Sequence, residues 1–89
     1  MRGIVYILQS KKSGRYYIGS TGNLQERLNR HQQGNTATTR RMGHWTLVFS
    51  QEYATLAAAR RIERKLKSWK RKDFIEKIIS EKYIRVDDK

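Results

Sequence analysis

The sequence predicts a small α/β domain with the element order β-β-α-β-α-α. A chain of 89 residues has room for a single hydrophobic core. Three short segments have the apolar or aromatic character of strands, and three others repeat apolar residues at the spacing of a helix. We therefore expect one domain over residues 1–80 and assign no structure to the C-terminal tail, residues 81–89.

The first two predicted strands are joined by a short turn. Ile4–Leu8 is apolar at every position, which is typical of a strand covered on both sides. Lys11–Gly14 has the composition of a turn and Tyr16–Ser20 is the second predicted strand, so a hairpin is the simplest connection. The pairing register stays open, because a slip of one residue reverses the faces of a strand.

The first predicted helix begins after Asn23, in a variant of the capping box in which Glu26 reaches back to the cap. Gly34 fits the position just past the end of this helix. Four side chains lie on one face or at its border: Leu24, Arg27, Leu28 and His31. Arg27 and His31 are four positions apart, so both project to the same side of the helix.

The second half of the chain is predicted to hold one strand and two helices. A polar and basic segment comes first, and we expect Arg40 and Arg41 in it to contact phosphates. Trp45–Tyr53 is the third predicted strand, and Thr55 is the expected cap of the next helix. The apolar stripe of that helix comprises Ala58, Ala59, Ile62, Leu66 and Trp69. The last helix is predicted over Asp73–Ile79, or slightly beyond. Its core-facing residues are Phe74, Ile75 and Ile78.

Positive charge is the dominant global property of the chain. It has 20 Lys+Arg against 8 Asp+Glu, a net charge of +12. Such a field attracts polyanions, so nucleic acid is the expected partner, although a surface tuned for solubility or a basic ribosome-bound protein would show the same charge. The absence of cysteine excludes disulfides and thiolate zinc sites. The longest early apolar run, Ile4–Leu8, is too short for a signal peptide or a membrane span, so we expect a cytoplasmic protein without membrane contact.

Glu63 is the only carboxylate in Arg60–Lys72, a segment with eight lysines and arginines. It lies about 100° from Ile62 around the helix, at the edge of the apolar stripe. A carboxylate at the rim of a basic groove could anchor Mg²⁺, which typically takes one or two protein carboxylates and completes its shell with water and phosphate oxygens. The alternative, favoured by the helix alone, is a salt bridge to Lys67. Three basic residues of this region are predicted to contact nucleic acid: Lys67, Lys70 and Arg71.

Four other residues each have an ordinary interpretation when taken alone. Arg27 suits a simple phosphate contact or, more specifically, a forked donor that stabilises the extra negative charge on a pentacoordinate phosphorus. His31 alone is more often a packed histidine than a catalyst. Tyr6 and Tyr17 alone are more often core aromatics with a satisfied hydroxyl. Only the combination of these residues is specific.

In combination these residues resemble the GIY-YIG endonuclease superfamily, and most closely its small stand-alone bacterial members. The similarity runs from Gly3 to about Lys72 and includes Val5-Tyr6-Ile7-Leu8, Tyr17-Ile18-Gly19-Ser20-Thr21 and Trp45-Thr46-Leu47-Val48. The first motif departs from a literal Gly-Ile-Tyr, because Val5 separates Ile4 from Tyr6. The tyrosine nevertheless keeps its place.

The resemblance implies a small three-stranded antiparallel or mixed sheet flanked by helices, and hydrolysis of phosphodiester bonds that depends on Mg²⁺ or Mn²⁺. By position, Tyr6 matches the general base or water-orienting group, and Tyr17 matches a residue that supports the water and the phosphate by hydrogen bonding. Arg27 matches the residue that stabilises charge, and Glu63 matches the metal ligand. His31 matches a position that shares in proton transfer.

Two functions from different classes stay open. The first is an endonuclease that cleaves DNA by in-line attack of water, with one metal ion at the leaving 3′ oxygen. The second is a binding module of the same fold that has little cleavage activity of its own and acts with a partner on DNA or RNA, for example on repair or recombination structures. The presence of all the expected side chains favours the enzyme. In both, Gly19 is a predicted nucleic-acid-binding residue that would let backbone approach the site closely, and a homodimer or a protein partner would supply specificity.

Overall fold

The computed structural model of the chain describes residues 2–32, 44–69 and 71–84. Its strands are β1 (Gly3–Ser10), β2 (Tyr16–Thr21) and β3 (Trp45–Tyr53). Its helices are α1 (Leu24–Gln32), α2 (Leu56–Trp69) and α3 (Lys72–Glu81). The strands form one antiparallel sheet in the order β2-β1-β3. The predicted element order and the predicted three-stranded sheet are therefore confirmed.

The pairing of β1 with β2 fixes the register that the sequence left open. Tyr6 lies directly opposite Gly19, and Leu8 lies opposite Tyr17. Cross-strand partners point to the same face of a sheet. Tyr6 of β1 and Tyr17 and Gly19 of β2 therefore share one face of the sheet. They lie near one of its edges, which β2 forms.

The central strand β1 is covered on both faces, as its apolar sequence predicted. Residues 5–8 have no exposed surface. Val5 and Ile7 belong to the larger core, which α2 and α3 complete with Ile62, Leu66, Ile75 and Ile78. Tyr6 and Leu8 lie on the other face, against Leu24 and Leu28 of α1. The sheet thus separates α1 from the two later helices.

An irregularity in the pairing of β1 with β3 keeps both faces of the sheet filled. Ile7 pairs with Phe49 and Leu8 pairs with Leu47, so that Val48 is an extra residue in β3. A bulge of this kind bends the strand and changes which residues face each side. Phe49 and Val48 consequently join the larger core, while Leu47 packs with Tyr6 and Leu8.

Side-chain caps begin two of the helices at the predicted positions. Asn23 Oδ1 accepts a hydrogen bond from the backbone N–H of Glu26 at 3.1 Å. Glu26 was expected to reach back to this cap, but its carboxylate accepts a hydrogen bond from Arg30 at 2.9 Å. Thr55 Oγ1 accepts from the backbone N–H of Ala58 at 3.0 Å. The expected helix end at Gly34 lies outside the described residues.

The last turn of α2 differs from the prediction at Trp69, which was placed in the buried stripe. Trp69 is 41% exposed, because α2 ends there and its ring projects past the core. The ring packs edge-on against Phe74 of α3, with the centroids 4.9 Å apart. No helix among the described ranges combines the length and the apolar character that crossing a membrane requires.

Helix α3 closes the larger core and is followed by one more buried residue. Ile75 and Ile78 are buried as predicted, whereas Phe74 is only partly buried. Ile84, beyond the end of the helix, is 2% exposed. Its backbone N–H donates to Gln51 Oε1 at 2.8 Å, which holds the chain against β3.

Candidate active site

A polar cavity of about 430 Å³ lies at the edge strand β2, between α1 and α2. Its lining residues are Tyr6, Tyr17, Gly19, Ser20, Arg27, Arg60, Glu63 and Arg64. Two phenols, three guanidinium groups and a single carboxylate therefore meet in one space. Four side chains that the sequence nominated for chemistry, together with Gly19, converge here.

The cavity spans both faces of the sheet because β2 is an edge strand. Tyr17 and Gly19 point toward the α1 side, and Ser20, the next residue, points toward α2. Arg27 reaches the cavity from α1, whereas Glu63 reaches it from α2. Residues that lie 36 positions apart in the sequence are thus brought together around the rim of the sheet.

Gly19 is required by the position of the Tyr6 ring. A Cβ atom at residue 19 would lie 2.5 Å from Cζ of Tyr6 and even closer to its hydroxyl oxygen. Because the Tyr6 ring has no exposed surface, it has little freedom to move away. The missing side chain at Gly19 therefore allows the Tyr6 hydroxyl to reach the edge of the sheet.

The Tyr6 hydroxyl is a neutral phenol at physiological pH. Burial raises its pKa to about 12. The neighbouring Tyr17 and Glu63 also raise this pKa, and the positive charge of Arg27 lowers it only in part. Tyr6 therefore serves as a hydrogen-bonding group, and its deprotonation needs a further group to take the proton.

His31 lies behind Tyr6 and does not line the cavity. Its Nε2 is 3.1 Å from the Tyr6 hydroxyl oxygen, in a hydrogen bond whose direction depends on the tautomer. The ring is 2% exposed and lies 5.6 Å from the Tyr17 ring and 6.0 Å from that of Trp45. Within the described part of the chain, Nδ1 has no hydrogen-bond partner. His31 reaches the cavity only through Tyr6.

The stability of the fold is expected to decrease on mild acidification because of His31. Burial lowers the pKa of His31, and the positive charge of Arg27 lowers it further. An unfolded histidine takes up a proton near pH 6.5, so between that pH and the lowered pKa the unfolded chain binds more protons. The contribution of neutral His31 to the free energy of unfolding is complete above about pH 6.5, and it is lost as the pH falls toward the pKa of His31 in the folded state.

Urea unfolding at pH 7.5 and 5.5 measures this effect. The wild-type midpoint should decrease over this range, and the decrease should be much smaller in His31→Gln. His44, the second histidine, is exposed, so His44→Gln should keep the wild-type pH dependence. Equal midpoints for the wild type at the two pH values would show that His31 is not the buried neutral group described here.

Glu63 makes two contacts that hold its carboxylate at the cavity. Oε1 accepts a hydrogen bond from the Ser20 hydroxyl. Oε2 forms an ion pair with Lys67 Nζ at 2.7 Å, and the Glu63 side chain is 19% exposed. The salt bridge that the helix pattern favoured is present, and Glu63 lines the cavity as well. The two readings of Glu63 are therefore compatible.

The donor set at Glu63 suits a hard cation that keeps most of its water. The described residues contain no cluster of three or more histidines, cysteines, aspartates and glutamates. A single carboxylate in a polar cavity fits Mg²⁺ or Mn²⁺, which can fill the remaining positions with water and phosphate oxygens. It does not fit a metal that needs a closed set of protein ligands.

Three residues of the cavity were not nominated from the sequence. Arg60 lies three positions before Glu63 and Arg64 directly after it, so helical spacing alone could have found Arg60. Ser20 is 43 positions from its partner Glu63, and only the fold brings the two together. Within the described ranges no carboxylate pairs with Arg27, Arg60 or Arg64. The cavity consequently has an excess of positive charge.

The two described basic residues that were predicted to contact nucleic acid differ in their surroundings. Lys67 pairs with Glu63 and its ammonium lies 5.6 Å from the centre of the Tyr17 ring. Arg71 is exposed outside the cavity and pairs with Asp73 at 2.8 Å. Three others lie outside the described residues: Arg40, Arg41 and Lys70.

The fold and the cavity together define a small α/β domain with a cationic, polar site at the edge of its sheet. The chain matches the family model of the GIY-YIG catalytic domain over residues 2–78, and it therefore belongs to the GIY-YIG family. The family gives it a nuclease-type fold. This fold agrees with the resemblance inferred from the two tyrosine motifs.

The chain is similar to a solved structure, the solution NMR structure of the UPF0213 protein BH0048 from Bacillus halodurans. The two are 28% identical and superpose with a TM-score of 0.60, over 99% of this chain and 93% of the other. A comparison with curated proteins gave no match.

Proposed function

We propose that the protein is an endonuclease that hydrolyses phosphodiester bonds in DNA with Mg²⁺ or Mn²⁺ as its cofactor. One observation carries the proposal: Tyr6, Tyr17, Arg27 and Glu63 line a single cavity of about 430 Å³. These groups can bind a phosphate, orient a water and anchor a cation at the same place. The fold of the GIY-YIG family supports a nuclease in particular.

The arginines of the cavity bind the substrate phosphate. Arg27, Arg60 and Arg64 approach from two helices on different sides of the sheet. A guanidinium keeps its charge at every relevant pH and donates two parallel hydrogen bonds to phosphate oxygens. Arg27 lies close enough to Tyr6 to change its pKa, so we assign to it the stabilisation of charge on the oxygens of the phosphorus under attack.

Glu63 is the residue that would hold the metal ion. When bound, the ion supplies Lewis-acid stabilisation of the leaving oxygen. Ser20 fixes one oxygen of the carboxylate, and Lys67 occupies the other. These two contacts keep Glu63 turned toward the cavity, which a long side chain on an exposed helix face would not do by itself.

Tyr6 and His31 provide a route for the proton of the attacking water. The Tyr6 phenol orients the water, and a pKa of about 12 makes it a weak acid that gives up its own proton only to a nearby base. His31 is neutral, and its Nε2 is 3.1 Å from that phenol. As the oxygen of water bonds to phosphorus, the bond from phosphorus to the leaving 3′ oxygen breaks, and that oxygen departs as an alkoxide. The proton of the water passes to Tyr6 while the Tyr6 proton passes to His31.

A nucleic-acid-binding module with little cleavage of its own is the second candidate. The ion pair between Glu63 and Lys67 favours it, because the ammonium occupies one carboxylate oxygen at 2.7 Å. The net charge of +12 would give such a module salt-sensitive affinity for DNA or RNA. In such a module the cavity would bind a phosphate of the nucleic acid and would not cleave it.

Cleavage assays separate the two candidates. Purified protein is incubated with end-labelled single-stranded, duplex and branched DNA in Mg²⁺, in Mn²⁺ or in EDTA. An endonuclease gives internal cuts only when a divalent metal is present. Salt-sensitive binding without products under all of these conditions would contradict the proposed function and support the binding module.

A further inference from the structure

A second cavity, of about 710 Å³, adjoins the candidate active site along β2. Tyr17 lines both cavities, so the two lie side by side at this residue. The floor of the second cavity is apolar and is formed by Tyr16, Ile18, Leu66 and Ile75. We refer to this space as the β2 groove. Its apolar floor distinguishes it from the polar cavity around Glu63.

The rim of the β2 groove is cationic. Four basic residues line it: Arg15, Lys67, Arg71 and Lys72. Lys67 and Arg71 have acidic partners, but in the part of the chain that the structure describes no carboxylate pairs with Arg15 or Lys72. An apolar floor beneath unpaired cations fits a ligand that joins a flat ring to an anion, as a nucleotide does.

An aromatic pair, the exposed Trp69 and the partly buried Phe74, lies beside the β2 groove at the end of α2. Trp69 and Phe74 line a smaller cavity together with Arg71, and Arg71 also lines the groove. Trp69 is 41% exposed at the end of α2, so part of its ring is accessible to a ligand. Aromatic side chains beside cations are the usual surface for stacking unpaired bases.

We propose that the β2 groove binds an unpaired nucleotide of the substrate strand, next to the phosphate in the active-site cavity, and that the strand continues toward Trp69. The base lies on the floor beside Tyr16, and the backbone follows Arg15 and Lys72. This inference rests on the proposed function, which places the scissile phosphate in the active-site cavity. A base held in a duplex cannot enter the groove, so the protein selects DNA that is single-stranded beside the cleavage point.

Equilibrium binding tests this inference without any cleavage. The dissociation constants of a fluorescein-labelled single-stranded oligonucleotide and of the equal-length duplex are measured by anisotropy at one salt concentration, in EDTA. The wild type should bind the single strand more tightly, by roughly tenfold or more for one stacked base. The double substitution Arg15→Glu/Lys72→Glu should remove most of this preference.

A matched control separates the groove from overall charge. Lys12→Glu/Lys77→Glu makes the same change in charge on the same hairpin and the same helix, at exposed positions that do not line the groove. It should weaken binding of both nucleic acids alike and preserve their ratio. Equal loss of preference in the two double variants would overturn the proposal, and so would duplex binding as tight as single-strand binding in the wild type.

Tryptophan fluorescence locates the bound strand. The single-stranded oligonucleotide should quench the wild type by stacking on Trp69, and most of this quenching should be absent in Trp69→Phe. Unchanged quenching in that variant would contradict the predicted path. These binding measurements contain no divalent metal, so they test the groove even if the protein does not cleave DNA. If the protein cleaves DNA but shows no preference for single strands, the groove proposal is refuted and the proposed nuclease function is not.

Discussion

Replacing Glu63 by glutamine is expected to abolish metal-dependent cleavage and to leave DNA binding nearly unchanged. Glutamine has the same size and can still accept a hydrogen bond from Ser20, but it has no charge to attract a cation. Loss of the metal removes several kcal/mol of transition-state stabilisation. At about 1.4 kcal/mol for each factor of ten, the single-turnover rate in Mg²⁺ should decrease by at least about 10³-fold.

Glu52→Gln is the matched control for this variant. Glu52 is exposed on β3 and pairs with Arg2 at 2.8 Å, at the edge of the sheet opposite β2. The substitution Glu52→Gln removes the same charge far from the cavity, so the cleavage rate of this variant should equal that of the wild type. A nuclease-free preparation of Glu63→Gln that cleaves at the wild-type rate would refute the assignment of Glu63 as the metal ligand.

The substitution Tyr6→Phe is expected to reduce the cleavage rate by about 10²–10⁴-fold, the usual contribution of a group that transfers protons in the transition state. Phenylalanine keeps the ring against Gly19 and removes only the hydroxyl. DNA affinity should stay close to that of the wild type, since Arg27 and the other arginines are unaffected. The measurement is the single-turnover rate at saturating protein, with affinity determined separately in EDTA.

A loss of stability must be distinguished from a loss of chemistry in Tyr6→Phe. The variant leaves Nε2 of the buried His31 without its partner, at a cost of about 1–3 kcal/mol, so rates are compared well below its unfolding temperature. Tyr83→Phe removes a hydroxyl from a residue that is 55% exposed and should change neither quantity. Cleavage by Tyr6→Phe within a few-fold of the wild type would exclude the proposed route through His31.

The strands and helices could be predicted from sequence because their signals are local. The apolar run at Ile4–Leu8 and the β-branched segment Trp45–Tyr53 both fall within strands that the structure contains. The register was not predictable, because it depends on the packing of Tyr6 over Gly19 and not on either strand alone. Trp69 was wrongly placed in the core, since periodicity does not show where a helix passes beyond the surface that it covers.

The main residues of the candidate site could also be predicted from the sequence, but some of their contacts could not. Motif resemblance nominated Tyr6, Tyr17, Arg27 and Glu63, and the structure brings all four to one cavity. Their catalytic roles remain predictions. Two features were beyond the sequence because they depend on tertiary neighbours: the contact of Ser20 with Glu63 and the placement of His31 behind Tyr6.

The location of the cavity at the rim of the sheet has a consequence for how a polymer is engaged. Among the described strands, β2 has a neighbour on one side only, so a long polymer can enter the site from the side. Neither terminus has to be threaded through an opening, and both halves can depart after scission without sliding. For the proposed endonuclease, such geometry suits cuts at interior positions of a strand.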